Sequence, residues 1–300
     1  MHEATSSSGR SVERPPGAPR VTFSDALCAV DGTPESLAAI AHAGSIVGPD
    51  GHLTLLIATA FRHESEMRGP AIPPARATEI VEQAQRAARD AGVSATVEVD
   101  PGGAPAELIL RWSAGRDLLA LGAPATSSWF GSIFMHGVAS AAEEMLDTPL
   151  LISREGKARG GSAAPASAAP QQILIASDGL EDSDGLVELA GRLAATHGAA
   201  TTLLHVLGAE ERLHPHRIER QAQQLAAVPR SSSELRVELG TPRNVIVEVA
   251  RAVEADLILM SSRRLSGLHA FGSVSRPVAQ HAHCAVLLMP PELVGAPPPP

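Results

Sequence analysis

The residues able to do chemistry in this chain are few. Two Asp-Gly pairs, Asp31-Gly32 and Asp178-Gly179, follow the apolar runs 27–30 and 173–176. Aspartate in that place suits turns and helix caps; the alternative is a ligand contact at the end of a buried strand. Among the twelve histidines, two clusters raise the question of a metal, His214-Pro215-His216 and His281-Ala282-His283-Cys284. The first has a proline between the ligands and no carboxylate in register, which reads as a solvated loop. The second runs into an apolar stretch where Cys284 packs as a small apolar residue. Neither offers the four ligands of a structural zinc site. Cys28 and Cys284 both lie inside apolar runs without CxxC spacing, which fits a reducing compartment and no disulfide framework. Nucleophile-elbow, His-Glu-x-x-His and complete Walker motifs are absent, so no catalytic role is expected.

The elements that must position these residues are written twice. Asp31 and Asp178 are 147 residues apart, Thr54-Leu55-Leu56 and Thr202-Leu203-Leu204 are 148 apart, and Asp117-Leu118 and Asp256-Leu257 are 139 apart. Val138 and Val274, and Leu150-Leu151 and Val286-Leu287, are separated by 136. An offset that changes in order along the chain is the mark of a collinear duplicate with shortened loops. In each copy short apolar runs alternate with segments of helical spacing, as in Leu186, Val187, Leu189, Ala190, Leu193 and Ala194, which predicts parallel strands covered on both faces. The spacing predicts helices over 211–228, 245–253 and 274–280, and an edge strand over 234–238. The closing runs 150–152 and 286–289 are wholly apolar and would invite aggregation at an open edge, so the two are expected to pair with each other.

Composition sets further limits. Three hundred residues favour two domains of ordinary size, and 44% hydrophobic with 19% charged residues is a globular balance. Seven aromatic residues and a net charge of -9 argue against nucleic acid, which wants clustered cations and stacking platforms. No run reaches the roughly 18 apolar residues of a membrane span. The divisions expected are a disordered tail (1–20), a first domain (21–154), a Gly/Ala/Ser-rich linker (155–170), a second domain (171–290) and a Pro-rich tail (291–300), in a cytoplasmic protein.

Val30-Asp31-Gly32-Thr33-Pro34-Glu35-Ser36, Leu203-Leu204-His205-Val206 and Gly272-Ser273-Val274 leading to His281-Ala282-His283-Cys284 together resemble universal stress protein domains, over about 21–154 and 171–290. The resemblance implies two open five-stranded α/β sheets, Rossmann-like, in order 3-2-1-4-5, flanked by helices and paired through strand 5 as a pseudo-dimer. Ligands of such sheets sit where strand order reverses, between strands 1 and 4.

Family members that hold ATP use an acidic residue ending strand 1, main chain at the end of strand 2, and a loop Gly-x2-Gly-x9-Gly-(Ser/Thr) whose backbone cradles phosphate. The residues so implied in the second half are Asp178, Val206, Gly272, Ser273 and Val274. Ser261 and Arg264 stand where the first two glycines belong, and Arg263 and Arg264 are candidates for charge-assisted phosphate contacts. In the first half Asp31, Ala58 and Gly122 match, but Ala125 replaces the second glycine and Met135-His136-Gly137 the final turn. Trp129-Phe130 lies in that same degenerate loop, where it would fill the space of a nucleotide. The expectation is therefore a non-catalytic stress regulator that binds ATP, with Mg, in its second half. Its internal pseudo-dimer, or a homodimer, would be the assembly, and its protein partner is not legible. A nucleotide-free scaffold is the alternative. More distant is an adenylating or ATP pyrophosphatase enzyme, whose Ser-Gly-Gly-x-Asp-Ser loop 177–183 matches only with Asp for the first glycine and one residue too many.

Overall fold

A computed structural model describes residues 23–59, 72–103, 105–123, 148–154, 169–179, 183–208, 215–262 and 274–290. The first half runs β1 (Asp25–Ala29), α1 (Pro34–Val47), β2 (His52–Ala58), α2 (Pro74–Asp90), β3 (Ser94–Asp100), α3 (Pro105–Ser113), β4 (Leu118–Gly122) and β5 (Leu150–Ser153). The second runs β6 (Gln172–Ala176), α4 (Asp184–His197), β7 (Ala200–Leu207), α5 (Pro215–Ala226), β8 (Ser233–Leu239), α6 (Pro242–Ala252), β9 (Leu257–Ser261), α7 (Ser275–His281) and β10 (Ala285–Met289). The expected helix over 211–228 is thus confined to Pro215–Ala226 among the described residues, and the edge strand is one residue longer at each end.

Within each half the strand order is 3-2-1-4-5, all parallel, but the two expected sheets are one. The order β3-β2-β1-β4-β5-β10-β9-β6-β7-β8 is continuous across ten strands, joined where β5 meets β10 antiparallel with Leu151 opposite Leu287. The cause is in the sequence of the joining strands. Leu150, Leu151, Ile152, Val286, Leu287 and Leu288 are all buried, and each such side chain contributes about 1.5–3 kcal/mol on leaving water. Neither strand can end a sheet at that cost, so each completes the other.

Two apolar layers cover the sheet. One holds Ile40 of α1, Ile80 of α2, Leu186 of α4 and Leu225 of α5; the other holds Ile109 of α3, Ile246 of α6 and Val278 of α7. Both layers run across the junction. The central strands are therefore near-continuous apolar runs, whereas β3 and β8 alternate, as terminal strands do.

Polar groups also cross the seam. Arg154, just past β5 and only 5% exposed, donates from Nη1 to the carbonyl of Ala123 (3.1 Å) and from Nη2 to those of Ala279 (2.5 Å) and Gln280 (2.9 Å) in α7. Nε2 of His197 in α4 lies 2.9 Å from the carbonyl of Ser45 in α1. His42 of α1 faces the seam with Nδ1 3.1 Å from Ser153 Oγ, beside a cavity of about 10 Å³ also lined by Asp256, Leu257 and Ala285. Burial pushes the His42 pKa down to about 4, against a smaller opposing pull from Asp256. Unfolded, the same imidazole titrates near 6.5. The neutral form is therefore favoured by the fold, and its stabilisation is complete above pH 6.5 and lost as the pH falls towards 4. Urea unfolding at pH 7.0 and pH 4.5 should show a loss that His42→Asn reduces by about 2–3 kcal/mol. An equal loss in both proteins would assign the acid sensitivity elsewhere.

Candidate functional site

In each half strand order reverses between the first and fourth strands, and the two crevices differ. Asp31 follows β1, and its Oδ1 accepts the amide (3.0 Å) and hydroxyl (2.6 Å) of Thr33. Thr33 is in turn the N-cap of α1, its Oγ1 accepting the Ser36 amide, with Pro34 opening the helix. Asp31 is thereby spent on building its own turn. That turn closes on the end of β4: a Cβ on Gly122 would stand 2.3 Å from the Ser36 nitrogen and 2.5 Å from the Glu35 carbonyl carbon. Backbone meets backbone where a ligand would enter.

The second half has a side chain at the matching position. Ser261 ends β9 and stands 139 residues after Gly122. The helix that follows β6 begins at Asp184, three residues later than α1 begins in the 147-residue register. Ser183 corresponds to Ser36, and its hydroxyl donates to Asp178 Oδ1 (2.9 Å). Gly179, in the left-handed region at φ +73°, turns the chain, and its amide donates to Ser177 Oγ (3.1 Å).

Behind this turn lies a buried polar chain. Ser177 Oγ donates to Gln221 Oε1 (2.8 Å), and Gln221 Nε2 donates to Asp184 Oδ1 (2.7 Å). The other oxygen of Asp184 accepts from Arg217 (2.9 Å) and Arg220 (3.1 Å). His205 Nδ1 donates to the Ser177 carbonyl (2.9 Å), and among the described residues its buried Nε2 has no partner. The Asp178 turn is therefore held by α5 as well as by β6.

Of the residues implied by sequence, Asp178, Ser261 and Val206 lie towards the carboxyl ends of adjacent strands, β6 being paired with both β9 and β7. Val206 is 7% exposed. Val274 immediately precedes α7, without a side-chain cap. Arg263, Arg264, Gly272 and Ser273 lie outside the described residues, as do Ala125, Trp129, Phe130, the 135–137 turn, His214 and 180–182. Sequence reasoning missed Ser262 and Ser275. Both are buried, and among the described residues their hydroxyls have no hydrogen-bond partner. They bracket the segment that follows β9. The signal for them was present in the repeat, since alanines, Ala123 and Ala139, occupy both positions in the first half.

Other chemistry is poorly provided for. Burial pushes the thiols of Cys28 and Cys284 up to about 12, so neither is a nucleophile at neutral pH. Among the described residues no three His, Cys, Asp or Glu side chains converge as a metal site, and no helix is long and apolar enough to cross a membrane. Trp112 packs partly buried against the core and donates its indole N–H to Asp100 (2.9 Å). That bond, with the Gly102 amide and Arg111, holds the Asp100 carboxyl below its usual range.

Comparison with known proteins agrees with this architecture. No curated protein matches the chain. A universal stress protein from Archaeoglobus fulgidus DSM 4304, 17% identical, superposes with a TM-score of 0.63 over 89% of this chain and 96% of its own. A functionally unknown protein from Pseudomonas aeruginosa PAO1, 15% identical, gives 0.56 over 91% and 94%. A universal stress protein solved in complex with cAMP is 26% identical over 40% of this chain and 97% of its own, with a TM-score of 0.36. The universal stress protein family model matches residues 170–290. By that match the second half is a universal stress protein domain, on a fold that the chain shares along most of its length with a universal stress protein.

Proposed function

We propose that this protein is a non-catalytic stress-response regulator that binds an adenine nucleotide, ATP with Mg, in its second half alone. The observation that carries the reading is the pair of buried hydroxyls of Ser262 and Ser275, which have no partner among the described residues. A buried polar group without a partner costs about 1–3 kcal/mol; a phosphate oxygen between the two would relieve both. Asp178 and the main chain around Val206 would hold the base and sugar side. Arg263, Arg264, Gly272, Ser273 and Val274, by the family resemblance, would serve the phosphate side. The nucleotide would supply charge and shape here, and the chain's own groups would orient it.

The first half would be structural, its crevice closed by α1. Its alanines at 123 and 139 supply neither hydroxyl. Ser261 in place of a glycine favours the second reading, a nucleotide-free scaffold, because a side chain there narrows the backbone's approach to phosphate. Calorimetric titration of Mg-ATP separates the two. The wild type should bind, and Ser262→Ala/Ser275→Ala should bind about 10–100-fold more weakly with unchanged thermal stability or a gain. Absence of heat with the wild type would leave the scaffold.

A further inference from the structure

We propose that β8 is a self-complementary edge through which two copies of the chain join, antiparallel about a twofold axis at Val237. The strand is the last in the sheet, paired on one side with β7 through seven residues. Thr201 N–H donates to the Ser232 carbonyl and Gly240 N–H to that of Leu207, so the even-numbered residues of β8 point their backbone groups at β7. The N–H and C=O groups of Leu235, Val237 and Leu239 therefore face outward. The same three residues are exposed by 40%, 44% and 80%. Their side chains share one face, next to α5, which at 12 residues is shorter than the 17-residue α2 that covers β3. Long, straight edges with an apolar stripe are rare in solitary chains, because they template association.

One register satisfies every group. With Val237 opposite its own copy, Leu235 meets Leu239 of the second chain and Leu239 meets Leu235. The outward backbone groups of these three residues then face one another as hydrogen-bonding pairs. On the opposite face Arg236 meets Glu238 and Glu238 meets Arg236, favourable cross-strand pairs. Arg236 also binds Glu234 of its own strand at 2.8 Å, and a guanidinium has donors for both. Centring the pair on Arg236 instead would set Arg against Arg and Glu against Glu. The other edge, β3, fits worse: it carries Glu98 and Asp100 and no cation, and the Asp100 carboxylate is already held by Arg111 and Trp112. A twofold β8 contact is isologous and closes at two chains.

Sedimentation equilibrium of the full chain near neutral pH should give twice the 31.0 kDa chain mass. Arg236→Glu places four carboxylates across the seam and should raise the dimer dissociation constant by about 100-fold or more. Arg236→Glu/Glu238→Arg restores opposite charges and should recover the dimer. Val237→Pro removes an outward N–H that β7 does not use and should give a folded monomer, its far-UV circular dichroism unchanged. A monomeric wild type at 100 μM (roughly the range of weak association) would overturn the proposal. So would a dimer that persists in Arg236→Glu and Val237→Pro, or a double variant that fails to recover.

Discussion

Arg154→Met should lower the melting temperature by roughly 5–10 °C. The side chain is buried, and its guanidinium serves three carbonyls, one in its own half and two in the last turn of α7. Those two carbonyls belong to a helix end that has no intrahelical donor to offer, and a cation there also meets the negative end of the helix dipole. Methionine fills the volume but strands the acceptors. Losing charged hydrogen bonds in a buried place costs about 3 kcal/mol, and in large domains each kcal/mol moves the midpoint by about 2–4 °C. Arg154→Lys keeps the charge without the fork and should recover only part. Pro290 stands at the matching place in the second half, so the clamp is built once. Differential scanning calorimetry that finds Arg154→Met as stable as wild type would remove Arg154 from the seam's energetics.

A methyl group at Gly122 should be as damaging. Its Cβ would meet the backbone of Glu35 and Ser36 rather than a movable side-chain tip, so α1 must shift or its first turn unwind. Overpacking costs about 1–3 kcal/mol where side chains can give way, and the upper end of that range is expected against main chain. Ser261→Gly, the reverse change at the matching place, only removes a side chain and should cost less than about 1 kcal/mol. Urea denaturation of the two variants measures the contrast. Equal effects would mean that the two crevices are built alike.

Much of this fold is legible in the sequence because parallel strands buried on both faces spell themselves as apolar runs, and a collinear duplicate spells them twice. The pairing of β5 with β10 followed from apolar edges that nothing else could cover. What the sequence did not disclose was that this pairing makes one sheet of ten strands, since two sheets docked at that edge carry the same pattern. The site was less legible. Asp31 and Asp178 look alike in sequence, and only geometry shows one absorbed by Thr33 and the other facing a later-starting helix. Gly122 looked like a ligand-binding glycine but serves close packing against α1. Ser262 and Ser275 carry no motif; only their isolation among buried groups, and alanines at their counterparts, mark them. The Ser177–Gln221–Asp184 chain joins residues distant in sequence, which no local spacing encodes.

The most direct measurement is the stoichiometry of Mg-ATP binding by titration calorimetry of the full chain, with Asp178→Ala and Asp31→Ala alongside. One nucleotide per chain is expected, lost in Asp178→Ala and retained in Asp31→Ala. Two nucleotides per chain, or binding abolished by Asp31→Ala and kept by Asp178→Ala, would contradict a site confined to the second half.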